Sequence, residues 1–322
     1  MHPIVTLTMN PAVDVSASVE RIEPVHKLRC TAAHRDAGGG GINVARVARR
    51  LGADPVAIYP AGGPVGALLD RAIAAEDVRH IAVSIAGDTR EDFTINETAL
   101  HRQFRFVLAG PELSQGEIKA CLDALATQVR PSAYLVASGS LPPGVPADFY
   151  GSIACLSANG GTKFVLDCSG QALRSALGPG TFLIKPNLRE FCELIGRDLH
   201  GREECLSAAR GLVAEGATLF VALTLGEDGA MLVGKDIALF AAAPKVDAIS
   251  TVGAGDSFLG ALVFALASGQ GAEDALSLGV AAGSAALLSP GTDLCEAQTA
   301  RRLLSQIRVE RLQDQKVVSS IS

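Results

Sequence analysis

Short, almost wholly apolar runs alternate along the chain with longer segments whose apolar residues recur at helical spacing. The runs at 4–9, 56–59, 134–137, 164–167, 182–184 and 219–225 read as strands covered on both faces. Between them, residues 42–51, 66–75, 114–129, 147–158, 187–195 and 203–215 read as helices. Val44, Ala48 and Leu51 share one helical face, as do Leu206, Ala209 and Val213. Ser114 followed by Glu117 has the form of a capping box. This alternation predicts an α/β fold, a doubly wound and mostly parallel sheet flanked by helices.

Two stretches depart from that rhythm. Residues 14–36 alternate apolar and polar positions around a Pro-containing turn, and residues 87–109 do the same with Asn96 and Glu97 near the bend. Period-two alternation predicts half-exposed antiparallel hairpins. They read either as edge decorations or, preferably, as a small β-sheet lid over the mouth of the site. The expected division is a core of residues 1–13, 37–86 and 110–308, a lid of 14–36 and 87–109, and a C-terminal tail of 309–322. Paired lid strands with open edges predict a homodimer joined through the lid.

Of 322 residues, 48% are hydrophobic and 19% charged, which excludes general disorder. The net charge of −6 excludes a chain-wide basic footprint, so nucleic acid is not an expected partner. No apolar run approaches the roughly 18 residues of a membrane span, and MHPIVTLTMN lacks the pattern of a signal peptide. Seven cysteines with no C-x-x-C pair fit neither a zinc site nor a disulfide framework, so a reducing, cytoplasmic setting is expected.

The candidate chemistry lies in four stretches. In STVGAGDSFLG (250–260), Gly253, Ala254 and Gly255 would open a helix with free N–H groups, an anion-binding arrangement. Asp256 in its first turn either caps that helix or meets a substrate hydroxyl as a general base. In DAGGGGINVAR (36–46), consecutive glycines allow close ligand approach, and Asn43 can bond polyol hydroxyls. NPAVD (10–14) sets Asp14 just beyond the first strand, and KPNLRE (185–190) ends another. Asn187 and Glu190 suit either a capping box or a hydrated Mg²⁺, and Asp167 either a metal or a helix cap. Walker, G-x-G-x-x-G, H-E-x-x-H and G-x-S-x-G motifs are all absent. The dinucleotide reading is therefore weak.

Together, GGGGINVAR, STVGAGDSFLG, NPAVD and KPNxxE resemble the ribokinase-type (PfkB) carbohydrate kinases, over the chain to about residue 308. KLRC (27–30), AIYPAGGPVG, ASGSLPPGV and GVAAGSAALLSPGT are similar to the branch that phosphorylates fructose 6-phosphate. Relatives acting on tagatose 6-phosphate or fructose 1-phosphate usually carry Lys where this chain has Gly40. The resemblance implies a ribokinase-like fold and an ATP- and Mg²⁺-dependent transferase of glycolysis. It would phosphorylate fructose 6-phosphate at the C1 hydroxyl to fructose 1,6-bisphosphate. The alternatives are a tagatose-6-phosphate or fructose-1-phosphate kinase and, outside the class, a non-catalytic sugar-phosphate sensor.

By the same resemblance, Asp256 is the base and Gly253, Ala254 and Gly255 the anion hole. Asp14, Gly39, Gly40, Asn43 and Ser140 hold the sugar, and Arg90 its phosphate, with Lys27 and Arg29 on the first hairpin adding charge, across a dimer interface. Arg90 otherwise reads as a solvated charge, Lys27 and Arg29 as edge protection, and Ser140 as a turn former. ATP falls to Lys185, Asn187, Thr224, Gly226, Gly229, Ala282, Gly283 and Ala286, and Mg²⁺ to Glu190 through water. Carbonyls near Ser250, Val252, Ala286, Ser289 and Gly291 are the implied ligands of a monovalent cation such as K⁺.

Overall fold

The computed structural model describes residues 1–312. Its strands are β1 Ile4–Leu7, β2 Ala12–Val19, β3 His34–Gly38, β4 Val56–Ala61, β5 Arg79–Ser84, β6 Arg90–Glu97 and β7 Arg102–Phe106, followed by β8 Tyr134–Ser138, β9 Lys163–Asp167, β10 Thr181–Ile184, β11 Phe220–Thr224, β12 Ala230–Gly234, β13 Ala238–Ala241 and β14 Val309–Arg311. The helices are α1 Gly40–Leu51, α2 Gly63–Ala75, α3 Gln115–Gln128, α4 Phe149–Gly160, α5 Gly170–Ala176, α6 Leu188–Ile195, α7 Gly201–Ala214, α8 Ala254–Ala267, α9 Ala272–Ala286 and α10 Ala297–Leu304.

Ten strands form the main sheet in the order β14-β13-β12-β11-β10-β9-β8-β1-β4-β5. The run from β11 to β5 is parallel, and β12, β13 and β14 extend it antiparallel. Alternate residues of each central strand face opposite layers, as the pleat requires. Tyr134, Val136 and Val165 pack under α1, α8, α9 and α10, whereas Leu135, Phe164 and Leu166 pack under α3 to α7. This is the doubly wound α/β sheet that the alternation predicts. The Ser114–Glu117 capping box is formed, with each backbone N–H donating to the other side chain.

The two alternating stretches build a separate four-stranded sheet in the order β3-β2-β6-β7. Each hairpin is antiparallel as expected, and they join through a parallel pairing of β2 with β6, Ala12 opposite Arg90. A third apolar cluster fastens this sheet to the core through Val13, Val15 and Ala37 against Ile42, Tyr59, Leu69 and Ile73. Asp36 on β3 ties it to the loop after α9, accepting from Thr292 Oγ1 at 2.5 Å while pairing with His34 Nε2 at 3.0 Å.

Three features differ from expectation. Val309–Arg311, expected in the tail, instead pairs with β13 at the sheet edge, while the expected tail residues 313–322 lie outside the described residues. The bend of the first hairpin is an irregular stretch, 20–33, in which Pro24 lacks a ladder donor and Val25 takes a positive φ of 71°. The expected strands also omitted the short buried β12 and β13, and β5, whose edge position leaves Arg79 and His80 outside the core and breaks the apolar signal.

The main sheet and α8 are held close by α1. A β-carbon on Gly260 of α8 would lie 2.8 Å from Val47 Cβ and 3.0 Å from the Val44 carbonyl of α1. Gly260→Ala should therefore cost about 1–3 kcal/mol of stability. A urea titration should show a lower midpoint at unchanged slope; an unchanged midpoint would mean that the helices separate freely.

Candidate active site

Five parallel strands end at one edge of the sheet, and each delivers a polar group there: Asn10 beyond β1, Ser138 and Ser140 at β8, Asp167 at β9, Lys185 beyond β10 and Thr224 at β11. Carboxyl ends of parallel strands are the usual ligand edge of open α/β sheets. The N-terminus of α8 points into the same place. Gly253 caps it in a left-handed conformation with φ 76°, and the first intrahelical bond runs from Ser257 N to the Gly253 carbonyl at 2.8 Å. The N–H groups of the first turn are thus left without helical acceptors, and they carry the positive end of the helix dipole.

Asp256 lies in that turn, partly exposed. Its Oδ2 accepts a 2.8 Å hydrogen bond from Asn43 Nδ2 on α1. Burial raises its pKa from 3.8 to about 6, Asp167 adds to the rise, and the Asn43 bond, Lys185 and Arg105 oppose it. A carboxylate so tuned is ionised at neutral pH yet basic enough to take a proton.

Lys185 is buried and paired with Asp167 Oδ1 at 3.1 Å. Burial alone would lower its pKa, but Asp167, Glu190 and Asp256 together raise it, so it stays a cation. A β-carbon on Gly255 would sit 3.5 Å from Lys185 Nζ, which places the ammonium beside the helix terminus. Asp167 Oδ2 also accepts from Ser138 Oγ at 3.2 Å. Asn187 and Glu190 form the capping box, at 2.9 Å in both directions. That uses Glu190 Oε2 and leaves Oε1 without a hydrogen bond among the described residues.

Asp14 is buried on β2, and its pKa is also pushed up to about 6, chiefly by burial, against the attraction of Arg105. Gly38 gives it room, since a β-carbon there would come within 2.6 Å of its carboxyl group. Gly39 lies against Thr8, and a β-carbon on Gly40 would stand 2.1 Å from Ser138 Oγ. The glycine loop is therefore pressed onto the ends of β1 and β8, with Ser138 filling the space that a side chain at position 40 would need.

Arg90 is nearly buried. Its guanidinium donates to Asp92 Oδ1 at 3.0 Å, the Leu108 carbonyl at 2.9 Å and the Asn10 carbonyl at 3.1 Å. Asn10 Nδ2 in turn donates to Ser140 Oγ at 3.1 Å, which brings Arg90 and Ser140 together. Among the described residues, Arg90 Nε and Asn10 Oδ1 are buried without a partner. A donor of this kind beside a cleft suits an anionic ligand. Arg105 on β7 was assigned no role from the sequence, yet its charge reaches Asp14, Asp92 and Asp256. Its signals were its place in the alternating R-Q-F-R-F run and, like Arg90, its match to the fructose 6-phosphate branch.

Lys27 and Arg29 do not lie on hairpin strands as expected. They sit exposed in the irregular 20–33 stretch, where Pro24 interrupts pairing, and make no side-chain hydrogen bond or ion pair among the described residues. Thr224 meets Asn187 through an isolated bridge, and Gly226 and Gly229 flank the short turn that follows β11. On α9, Ala282 and Ala286 are wholly buried, so only half-buried Gly283, packed towards the Ala254 carbonyl of α8, is open to a ligand. Ser250, Val252, Ala286, Ser289 and Gly291 converge in one loop cluster. Ser250 Oγ donates to the Gly291 carbonyl at 2.7 Å and accepts from Val252 N at 3.2 Å, while Ser289 N donates to the Ala286 carbonyl at 3.1 Å.

Known proteins share this fold. The chain is 42% identical over 299 residues, 93% of its length and 88% of the relative's, to the ATP-dependent 6-phosphofructokinase isozyme 2 of Mycobacterium tuberculosis. It is 37% identical to the isozyme 2 of Escherichia coli K12, covering 95% of this chain and 99% of that one. A 1-phosphofructokinase of Borreliella burgdorferi is 33% identical, covering 95% and 98%. The crystal structure of phosphofructokinase-2 from Escherichia coli with fructose 6-phosphate superposes with a TM-score of 0.90 at 36% identity, over 95% of this chain and 99% of that one. The same enzyme with potassium gives 0.91 at 37% identity and the same coverage. The family description "pfkB family carbohydrate kinase" matches residues 3–300, and with the sheet order, the glycine-capped α8 and the acid in its first turn it leads to one conclusion: the chain belongs to the pfkB family of carbohydrate kinases.

Proposed function

We propose that this kinase transfers the γ-phosphoryl group of ATP to the C1 hydroxyl of fructose 6-phosphate, giving ADP and fructose 1,6-bisphosphate. The observation that carries this reading is the Asp256 carboxylate in the first turn of α8, beside free amides and the Lys185 ammonium. Asp256 takes the hydroxyl proton as the new O–P bond forms and the bond from the γ-phosphorus to the bridging oxygen of ADP breaks. The amides of Gly253, Ala254 and Gly255 and the Lys185 charge stabilise negative charge on the phosphoryl oxygens in flight. Asp14, Gly39, Gly40, Asn43 and Ser140 hold the sugar, and Arg90 and Arg105 its phosphate, where guanidinium geometry favours bidentate contact.

ATP lies along Lys185, Asn187, Thr224, Gly226 and Gly229, with Gly283 beside the base. Glu190 Oε1 has no hydrogen bond among the described residues, which suits a hydrated Mg²⁺ that would neutralise the phosphates. The 250–252 and 286–291 loops hold K⁺ through carbonyls; a potassium complex of the Escherichia coli enzyme supports this. Two sheets' worth of function meet here: the small sheet acts as a lid. Its exposed Leu28, Leu100, Phe106, Val107 and Leu108 give it the surface for a homodimer interface, and the Escherichia coli relative also has a tetrameric inhibited form. Lys27 and Arg29 reach phosphate only across that interface. Among the described residues no helix is long and apolar enough to cross a membrane, and all seven cysteines are free, in keeping with a cytoplasmic site of action.

Preference for the 6-phosphate is favoured by the 42% and 37% identity to 6-phosphofructokinases, against 33% to a 1-phosphofructokinase. Gly40 pressed on Ser138 supports it, because a lysine there would displace Ser138. A coupled ADP-release assay with ATP and Mg²⁺ should rank fructose 6-phosphate above tagatose 6-phosphate and fructose 1-phosphate by kcat/KM. A reversed order would move the substrate and keep the chemistry, and sugar binding without turnover would leave a sensor. Arg105→Gln should raise KM for the sugar phosphate about tenfold with little change for ATP; equal effects on both would place the phosphate elsewhere.

Asp256→Asn should lower kcat by at least about 10²-fold while sugar binding persists in calorimetry. It should also stabilise the empty enzyme. Folding raises the Asp256 pKa from 3.8 to about 6, so the folded state holds the proton more tightly than the unfolded chain. The stability cost of ionisation therefore builds as pH rises from about 4 to 6 and is full above it. A thermal melt at pH 8 should show the variant higher by roughly 2–4 °C, with the gain vanishing near pH 4. Retained turnover, or a melt unchanged at pH 8, would remove the base assignment.

A further inference from the structure

We propose that Arg46 and Glu76 position the reacting carboxylate: the chain Glu76–Arg46–Asn43 aims the Asn43 amide nitrogen at Asp256 Oδ2 and leaves Oδ1 for the substrate hydroxyl. The inference rests on Asp256 being the base, as proposed above.

An asparagine beside a carboxylate can present either end of its amide, and the two ends have opposite effects. The oxygen would repel Asp256, whereas the NH₂ group bonds it. Here Asn43 Nδ2 stands 2.8 Å from Asp256 Oδ2, and Asn43 Oδ1 accepts from Arg46 Nη1 at 3.1 Å. Arginine has donors only, so the oxygen must face it and the nitrogen must face Asp256. The orientation of one amide is thus set by a neighbour that makes no hydrogen bond to Asp256.

Arg46 is itself fixed. It is 2% exposed, one turn along α1 from Asn43, and donates to the Ala37 carbonyl at 2.7 Å and to Glu76 Oε1 at 2.5 Å. A buried guanidinium needs a countercharge, because desolvating it alone is costly. Glu76, the residue that caps the end of α2, supplies it and is held from its other side by Arg50 Nη2 at 2.9 Å. Arg50 in turn donates to the Leu294 carbonyl at 3.1 Å, in the segment between α9 and α10. The chain therefore runs from a surface-facing acid to the cleft through groups packed on three elements; the Arg46–Asn43 contact is local to α1, whereas the contacts to Glu76 and Asp256 form only with the fold.

The same clamp bears on charge. Asp256 is faced by Asp167 at the end of β9, Lys185 beyond β10, Arg105 on β7, Asp14 on β2 and Asn43 on α1. Of these, the Asn43 hydrogen bond is the foremost influence favouring the ionised form. An unclamped Asn43 gives that bond up for part of the time, and Asp256 then holds its proton to higher pH.

The test uses Arg46→Lys, which keeps the charge and loses the fork, and Glu76→Gln, which keeps the shape and loses the charge. For each full-length variant and the parent, the pH profiles of kcat and kcat/KM are measured, together with the ¹³C NMR titration of the Asp256 carboxyl. Arg46→Lys should lower kcat at pH 7 about tenfold with KM for the sugar changed less than about threefold. The acid limb and the NMR midpoint should move up together by about half a unit to one unit, with Glu76→Gln moving them less in the same direction. A fall in melting temperature with both midpoints at the parent value would overturn the proposal, leaving the chain merely structural. Glu76 is half-exposed, so its variant decides the matter if Arg46→Lys does not fold. If the parent transfers phosphate to no sugar, the functional reading fails, and the NMR titration alone decides whether the positioning chain stands.

Discussion

Three carboxylates, Asp14, Asp167 and Asp256, are gathered at one edge of the main sheet, and each must have its charge answered without filling the cleft. Asp167 is answered by Lys185 and Ser138, and Asp256 by Asn43 and the helix terminus on which it sits. Asp14 has the more distant Arg105 and Arg46. The answers are incomplete, since burial still leaves Asp14 and Asp256 at about 6. Buried carboxylates held this way destabilise the fold when ionised, the usual tension between stability and activity.

The fold meets this demand by geometry rather than by strong individual bonds. Parallel strands end together, so polar groups distant in sequence arrive at one edge. Helices α1 and α8 then cross that edge closely enough to bond Asn43 to Asp256, and they do so because Gly260 removes the side chain that would hold them apart. The small sheet is seated by its own apolar cluster, with Val13 and Val15 on the core side. Its next residue, Asp14, is thereby fixed at the cleft, and Arg90 is fixed opposite Ala12 by the β2–β6 register. A one-residue slip in that register would turn each of these side chains to the wrong face.

Much of this was legible beforehand where local physics decides it. The central strands, the helices between them, both capping boxes and the two hairpins follow from periodicity and turn chemistry. The glycines before Asp256 and in the 38–41 loop marked the site because few other reasons exist for such runs. The edge strands β5 and β14 and the short inner strands β12 and β13 were not legible, because half-exposed or four- to five-residue strands leave little periodic signal and acquire their place only by pairing with a neighbour. The irregular 20–33 stretch, which carries Lys27 and Arg29 off any strand, shows the reverse: alternation in the sequence that Pro24 and the positive φ of Val25 keep from continuing as a ladder.

The sequence by itself determined the order of elements, the family pattern and the residues able to do chemistry, since these rest on spacing and residue type within a few turns. Tertiary structure alone decided which of them meet. Asn43 and Asp256 are bonded across 213 positions, Arg46 and Glu76 across 30, and Arg90 reaches the Asn10 carbonyl across 80. Arg46 has the place of an ordinary charged residue on an amphipathic helix, yet it is buried and clamped. Its orientation depends on where α2 ends relative to α1, and that is set by packing in three dimensions, which no local pattern encodes.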